Sequence, residues 1–294
     1  MYNYCTQRSG GNLKGFNTLR DSSRHQPLAT WKWHGSQNRH LDMPEVTCCG
    51  KVVIGCYGGN TQAGADSNED GALVWSADDE TWELAMLLDG HCSTESVELI
   101  LTTLHAKAAA VRALLSQDVE IAFPSLHQFL FALFRSPAFL RQCQQVRGET
   151  SCLICVRKAQ FLWWLCVGDC VVYLLHPELA QRSQFALNHR NFFEWIGQVN
   201  TFDLLTPCYT TGIRELRSGR NRIVMTTDGL LEFGSRSFER PQQVYKEFLQ
   251  DGKEDLKERV LAALFQVHQA QGQDSATVIA WDYENTSQAS YPSC

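Results

Sequence analysis

Apolar residues fall into short runs separated by Gly, Asn, Asp and Ser, a pattern typical of strands joined by tight turns. The first three runs predict strands at Val52–Tyr57, Gly71–Ser76 and Trp82–Asp89. The polar residues between them favour antiparallel hairpins over crossover connections. The first half of the chain therefore begins with sheet structure.

The periodicity then changes to that of helices. A long helix is predicted from about Ser93, where Ser93 or Thr94 can cap its first turn. A second is predicted at about Ser125–Arg135, and Pro137 is suited to open a third. The apolar positions with helical spacing in the long helix are Val97, Ile100, Leu101, Leu104, Ala108, Val111 and Leu115.

Strand patterns return in the second half of the chain. Ser151–Arg157 and Phe161–Leu175, separated by three residues, predict a hairpin. The polar and aromatic stretch His176–Asn221 has weak periodicity and is predicted to be a flap-like insertion. The closing elements are a strand at Arg222–Thr226, helices at Pro241–Gln250 and Asp255–Gln271, and a strand at Ala276–Trp281. This order predicts an α+β layered domain.

Residues 1–45 are rich in Asn, Arg, Ser and Gln and lack apolar periodicity. We expect them to form an extended or loosely ordered N-terminal arm, which Trp31 and Trp33 could anchor on the body. Residues 46–294 then form one domain, with the flap insertion at about 176–221.

Composition narrows the function classes. The chain has 294 residues, with 44% hydrophobic residues, 20% charged residues and a net charge of -6. The acidic balance gives no support for a nucleic-acid or membrane partner. No apolar run is long enough to span a bilayer, and residues 1–24 lack the apolar stretch of a secretory signal, so we expect a cytoplasmic protein. A monomer is our working expectation.

The chain contains twelve cysteines. In the pair Cys152 and Cys155, a spacing of three within a strand places the thiols on opposite faces, which does not suit a shared zinc ion. Buried free thiols are the simpler interpretation, as is a core role for Trp163 and Trp164 on the two faces of their strand.

Candidate chemistry comes from four short acidic motifs, each beside an apolar run. Acids at strand ends next to tight turns can converge on hard cations, and a pair of such cations can activate water. The motifs are Asn68-Glu69-Asp70-Gly71, Leu88-Asp89-Gly90-His91, Thr227-Asp228-Gly229 and Gln273-Asp274-Ser275.

These motifs, with Val167-Gly168-Asp169, occur in an order that resembles the metal-dependent type 2C (PPM) protein phosphatases, in particular bacterial members, over roughly Val52 to Asp282. Any one motif alone would be a common turn. The resemblance implies a four-layer αββα sandwich of two antiparallel sheets flanked by helices. It also implies a phosphoserine or phosphothreonine phosphatase whose cofactors are two divalent cations, Mn²⁺ or Mg²⁺, with a possible third.

The resemblance also implies residue roles. Asp89 would bridge the two cations, the Gly90 carbonyl would add an oxygen ligand, and Asp228 and Asp274 would complete one coordination sphere. Glu69 matches the acid that reaches the other cation directly or through water, with Asp70 as its outer neighbour. His91 matches the proposed general acid, and Asp169 matches the acid associated with a third cation.

Three positions depart from the family pattern. Ala65 stands where the family has an Arg that grips the substrate phosphate, and Lys51 or Arg222 is a candidate to replace it. Cys92 replaces a glycine, and Ser275 replaces a common Asn. The missing Arg leaves open a pseudophosphatase, a metal-binding interaction module with weak turnover. A phosphatase of a small metabolite or of one bacterial regulator is a third hypothesis.

Overall fold

The computed structural model describes residues 28–249 and 255–291. Most of the predicted N-terminal arm, residues 1–27, lies outside this part of the chain. Within the rest of the arm, Leu28–His34 forms an edge strand, in which Trp33 is buried.

The described residues form twelve strands and eight α-helices. The strands are β1 (Leu28–His34), β2 (Glu45–Cys49), β3 (Val52–Tyr57), β4 (Gly71–Ala77), β5 (Trp82–His91), β6 (Glu149–Lys158), β7 (Phe161–Val167), β8 (Val171–Leu175), β9 (Ile196–Gly197), β10 (Thr210–Glu215), β11 (Gly219–Thr226) and β12 (Ala276–Asn285). The helices are α1 (Glu95–His105), α2 (Ala108–Leu115), α3 (Val119–Phe134), α4 (Pro137–Cys143), α5 (Pro177–Ala180), α6 (Gly229–Glu232), α7 (Pro241–Phe248) and α8 (Leu256–Gln269).

The strands form two antiparallel sheets. One has the order β1-β4-β5-β6-β7-β10, with β9 also paired to β6, and the other has the order β2-β3-β12-β11-β8. Three apolar cores separate the layers: helices α1–α4 cover the outer face of the first sheet, the two sheets pack together, and α6–α8 cover the second sheet. This four-layer α+β architecture confirms the predicted fold class. None of the described helices has the length and apolar character needed to cross a membrane.

The helical region differs from the prediction in its boundaries. The predicted long helix is two helices, α1 and α2, separated at Ala106 and Lys107. The apolar periodicity runs through the break because Leu104 and Val111 pack in the same core. Helix α3 also begins earlier than predicted, at Val119, with Pro124 inside it.

The prediction that Phe161–Leu175 forms one strand is wrong. These residues form two strands in different sheets, β7 and β8, and the chain crosses between sheets at Gly168 to Cys170. Gly168 has φ +91°, and a Cβ there would lie 2.3 Å from the Ser151 hydroxyl. Only glycine fits this crossing without strain.

Two pairings also differ. β3 does not form a hairpin with β4, because it pairs with β2 and β12 in the other sheet. The predicted insertion His176–Asn221 includes the edge strand β10 and the first residues of β11. Polar residues in β10 and at the start of β11 obscured the alternation that predicts a sheet.

Candidate metal centre

All four acidic motifs lie at one end of the two sheets. Asp89 and Gly90 are near the end of β5, where they pair with Ser151 and Thr150 of β6. The Thr150 hydroxyl donates to the Asp89 carbonyl at 2.8 Å. A Cβ on Gly90 would lie 2.4 Å from the Glu69 carbonyl, so this residue allows the first two motifs to approach closely.

Asp70 is buried and connects the two sheets. Its Oδ2 accepts hydrogen bonds from the Thr277 hydroxyl at 2.7 Å and the Thr227 hydroxyl at 3.2 Å. Its Oδ1 accepts one from the Ser275 hydroxyl at 3.2 Å. Because both oxygens already have donors, Asp70 is suited to support neighbouring groups.

Asp228 and Asp274 face Asp89 from the other sheet. The Asp228 backbone N–H points at Asp89 Oδ2 at 3.5 Å, and Asp274 lies close enough to Asp228 for its negative charge to raise the pKa of Asp228. Asp274 Oδ1 also accepts the Ser275 backbone N–H at 2.9 Å. Residues more than a hundred positions apart in the chain therefore share one acidic site.

Glu69 and His91 lie at the mouth of this site. Glu69 is half-buried, which raises the pKa of its carboxyl group, while the His91 side chain is exposed. The His91 ring packs edge-on near Trp195, with ring centroids 6.3 Å apart. His91 is thus open to a ligand that enters from solvent.

Asp169 lies on the other side of Asp228. Its Oδ1 accepts the Ser151 hydroxyl at 2.7 Å. Its Oδ2 is 3.5 Å from Nη2 of Arg190, and the same nitrogen is 3.4 Å from Asp228 Oδ2 and 2.5 Å from Glu232 Oε1. Arg190 therefore brings a positive charge to one corner of the acidic site.

Burial and mutual repulsion make ionisation of these acids costly. Burial, opposed in part by the Thr277 hydrogen bond, raises the pKa of Asp70 to about 8. Burial and the neighbouring Asp274 raise the pKa of Asp228 to about 7, and burial with Asp228 holds that of Asp89 well above its ordinary value. The site holds more negative charge than the neighbouring protein cations offset.

This donor set fits hard divalent cations, which prefer carboxylate and carbonyl oxygens. Their charge would also relieve the repulsion among Asp89, Asp228 and Asp274. Across residues 28–249 and 255–291, however, no three His, Cys, Asp or Glu side chains are already arranged to grip an ion. Contacts with Arg190 and with hydroxyl groups hold Asp228 and Asp70 in their present orientations.

Ala65 stands where the resemblance implies a phosphate-gripping arginine, and it lines a cleft of about 300 Å³ beside Glu69 and Asp274. Among the residues that the structure describes, no basic side chain lines this cleft. The prediction that Lys51 or Arg222 replaces this arginine is wrong. Lys51 pairs with Glu83 at 3.1 Å, and Arg222 is buried against Asp282 at 2.7 Å.

Sequence reasoning missed Arg190, which lies in the irregular segment where no motif marks it. In the same segment, Phe192 and Phe193 are 57% and 84% exposed. The prediction for Cys152 and Cys155 is confirmed, because both are free thiols buried in different apolar cores. Trp163 and Trp164 also lie in different cores, as predicted.

Comparison with solved structures supports the architecture. A bacterial serine phosphatase superposes with a TM-score of 0.59 at 13% identity, covering 80% of this chain and 98% of that chain. PppA, a regulatory component of the type VI secretion system in Pseudomonas aeruginosa, gives 0.55 at 14% identity, covering 79% and 97%.

The catalytic domain of the serine/threonine phosphatase PstP, solved with two manganese ions, gives a TM-score of 0.52 at 14% identity, covering 88% of this chain and 98% of that domain. No protein-family model matches the sequence, and neither does any curated protein. The resemblance stated from the acidic motifs is confirmed as a shared fold.

Proposed function

We propose that this chain is a metal-dependent phosphoprotein phosphatase that hydrolyses phosphoserine and phosphothreonine monoesters. The observation that carries the proposal is the convergence of Asp89, Asp228 and Asp274 at the common end of two sheets. The fold is shared with bacterial serine/threonine phosphatases, one of them solved with two manganese ions, which supports the same chemistry here.

Asp89, the Gly90 carbonyl, Asp228 and Asp274 would hold the cations, with Glu69 reaching one of them directly or through water. When bound, two divalent cations screen the phosphate charge and lower the pKa of a bound water toward neutrality. Phosphate monoesters hydrolyse extremely slowly without such help. These carboxylates supply oxygen ligands only, as that chemistry requires.

The other residues of the site orient these ligands and move a proton. Asp70 is buried and held by the Thr277, Thr227 and Ser275 hydroxyls, so it can fix the neighbouring acidic turns of the two sheets relative to each other. His91 is exposed next to Glu69 and Asp274, so an imidazole nitrogen can donate a proton to the leaving serine or threonine oxygen.

Hydrolysis of a chromogenic phosphomonoester and of a phosphopeptide, with and without Mn²⁺, tests this proposal. We expect Mn²⁺-dependent turnover that falls at least about a hundredfold in Asp228→Asn. The exposed Asp78→Asn, in the β4–β5 turn at the opposite end of β5 from Asp89, is the matched control and should retain activity. Full activity in chelator, or in Asp228→Asn, would refute the assignment.

A second function is favoured by one observation. In the described part of the chain, no basic residue lines the cleft at Ala65, so these residues offer substrate phosphate no bidentate arginine contact there. The alternative is a pseudophosphatase, an interaction module that binds cations at the same acids without significant turnover.

Turnover on a phosphopeptide separates the two functions. If the pseudophosphatase is correct, the wild-type chain binds Mn²⁺ with negligible hydrolysis, and Ala65→Arg raises kcat/KM at least about tenfold. Ala65→Met, similar in length but uncharged, is the control and should give no gain. Rapid wild-type turnover would rule out the alternative.

A further inference from the structure

Arg190 is a cation that the chain itself places against the candidate metal centre. Nη2 of its guanidinium lies 2.5 Å from Glu232, 3.4 Å from Asp228 and 3.5 Å from Asp169. Asp228 is a proposed metal ligand, while Asp169 was associated only with a third cation. Both aspartates thus face the positive charge of the same guanidinium.

The backbone around Arg190 is fixed. The buried Asn188 accepts the Val172 N–H at 2.9 Å and donates to the Cys170 carbonyl at 2.8 Å. On the other side, the Asn191 N–H donates to the Gly168 carbonyl at 3.1 Å. These bonds tie the segment to the β7–β8 crossing that carries Asp169, so Arg190 and Asp169 are positioned together.

The side chain is held as well. Its guanidinium stacks on Phe192 at 4.9 Å from the ring centroid, and its shortest ion pair is with Glu232. The side chain is 18% exposed, which limits screening by solvent. An arginine anchored at Glu232 can remain beside Asp169 and Asp228 without being released to solvent.

Asp169 consequently has partners on both oxygens, the Ser151 hydroxyl and Arg190. A divalent cation at Asp169 and Asp228 would have to displace the guanidinium, because two positive charges within a few ångströms repel each other strongly. Among the described residues, no arginine forms an ion pair with Asp89 or Asp274, the other aspartates of the site.

We propose that Arg190 is a built-in cation that takes the place of a third metal ion at Asp169 and Asp228. The centre then binds two exchangeable divalent cations, and Asp169 is a partner of Arg190. That two divalent cations bind rests on the proposed function. That Arg190 excludes a further ion rests only on the contacts described above.

Counting bound Mn²⁺ tests the proposal directly. Free Mn²⁺ is measured by electron paramagnetic resonance during titration of the wild-type chain, Arg190→Gln and Arg236→Gln. Arg236 is a matched control because it also pairs with Glu232, at 3.1 Å, but is exposed and contacts neither aspartate in the described ion pairs. We expect one additional equivalent of bound Mn²⁺ in Arg190→Gln and none in Arg236→Gln.

Asp169 provides the second measurement. Asp169→Asn should bind as many Mn²⁺ ions as the wild-type chain, and in the double variant with Arg190→Gln the additional equivalent should disappear. The Mn²⁺ count of the single variant Asp169→Asn tests the proposal even if Arg190→Gln does not fold. Loss of an ion in Asp169→Asn alone would show that Asp169 is a metal ligand in the wild-type chain and would overturn the proposal.

An unchanged Mn²⁺ count in folded Arg190→Gln would also overturn it. If the same variant showed a raised KM for phosphopeptide, Arg190 would instead be assigned to phosphate binding. A wild-type chain that binds no Mn²⁺ would refute the proposed function, while a gain of one ion in Arg190→Gln would still support exclusion by Arg190.

Discussion

The Thr277 hydroxyl donates a 2.7 Å hydrogen bond to Asp70 Oδ2, linking residues 207 positions apart. Asp70 directly precedes β4 of one sheet, and Thr277 lies in β12 of the other. This buried bond therefore connects the two sheets below the acidic site. It also supports the carboxylate that lies beside the proposed metal ligands.

Thr277→Val should weaken both folding and metal binding. It removes a donor from a buried carboxylate, which costs about 2 kcal/mol in the free energy of unfolding. Because Asp70 then loses its shortest side-chain contact, we expect the affinity for Mn²⁺ to fall about tenfold. Denaturant unfolding and Mn²⁺ titration measure the two effects. Thr277→Ser keeps the hydroxyl and should stay near wild type; equal losses in both variants would contradict this role.

The metal-free chain should become less stable as pH rises. Burial raises the folded-state pKa of Asp228 to about 7 and of Asp70 to about 8, from an ordinary value of 3.8. Between these values the folded state binds more protons than the unfolded state, so the stabilisation present at low pH is lost as pH rises. Thermal unfolding in chelator from pH 5 to pH 9 should show a falling midpoint.

Mn²⁺ and Asp228→Asn supply the controls for this pH dependence. Bound cations compensate the ionised acids, so the stabilisation by Mn²⁺ should increase with pH over the same range. Asp228→Asn lacks one of the titrating groups and should show a shallower decline in chelator. A midpoint that rises from pH 5 to pH 9 in the metal-free chain would contradict the assigned pKa directions.

Arg157 should be important for stability and unimportant for metal binding. It is buried, pairs with Glu83 through two nitrogens, donates to the Glu80 carbonyl at 2.7 Å, and stacks on Tyr283 at 4.6 Å. Arg157→Met would leave Glu83 as a buried carboxylate whose remaining ion-pair partner among the described residues is Lys51, at 3.1 Å. We expect a loss of about 3–5 kcal/mol in denaturant unfolding.

The matched variant for this test is the exposed Arg182→Met, which should change stability by less than about 0.5 kcal/mol. Mn²⁺ affinity of folded Arg157→Met, measured by titration, should equal that of the wild-type chain. A selective loss of Mn²⁺ affinity would mean that this pair, at the opposite end of β5 from Asp89, acts on the metal centre.

Cys92→Gly should stabilise the loop after His91. Cys92 is exposed and has φ +70°, in the left-handed region that costs a non-glycine residue about 1 kcal/mol. Glycine removes this strain, and the midpoint of denaturant unfolding should rise. Cys208→Gly tests the same change at another exposed cysteine, which lacks a positive φ, and should lower stability. Destabilisation by Cys92→Gly would show that the Cys92 thiol contributes more than its strain costs.

Local pattern determined much of the architecture. Periodicity and turn chemistry predict the strand that begins at Trp82, the strand that ends at Thr226, the helix opened by Pro137 and the positions of the two CxxC thiols. The first of these strands runs two residues past its predicted end, to His91. The acidic motifs were also visible in the sequence, because each lies where an apolar run begins or ends. Periodicity records which side chains are buried, so it reports elements and faces reliably.

Tertiary structure alone decided which elements meet. Periodicity cannot show that β3 pairs with β12, or that the chain changes sheets at Gly168, because a strand buried on both faces has the same pattern in either sheet. Periodicity also does not show that Arg190 reaches Asp169 and Asp228, or that Arg222 forms an ion pair with Asp282. A charged side chain contacts whatever the fold places within a few ångströms of it, and local sequence does not encode that distance.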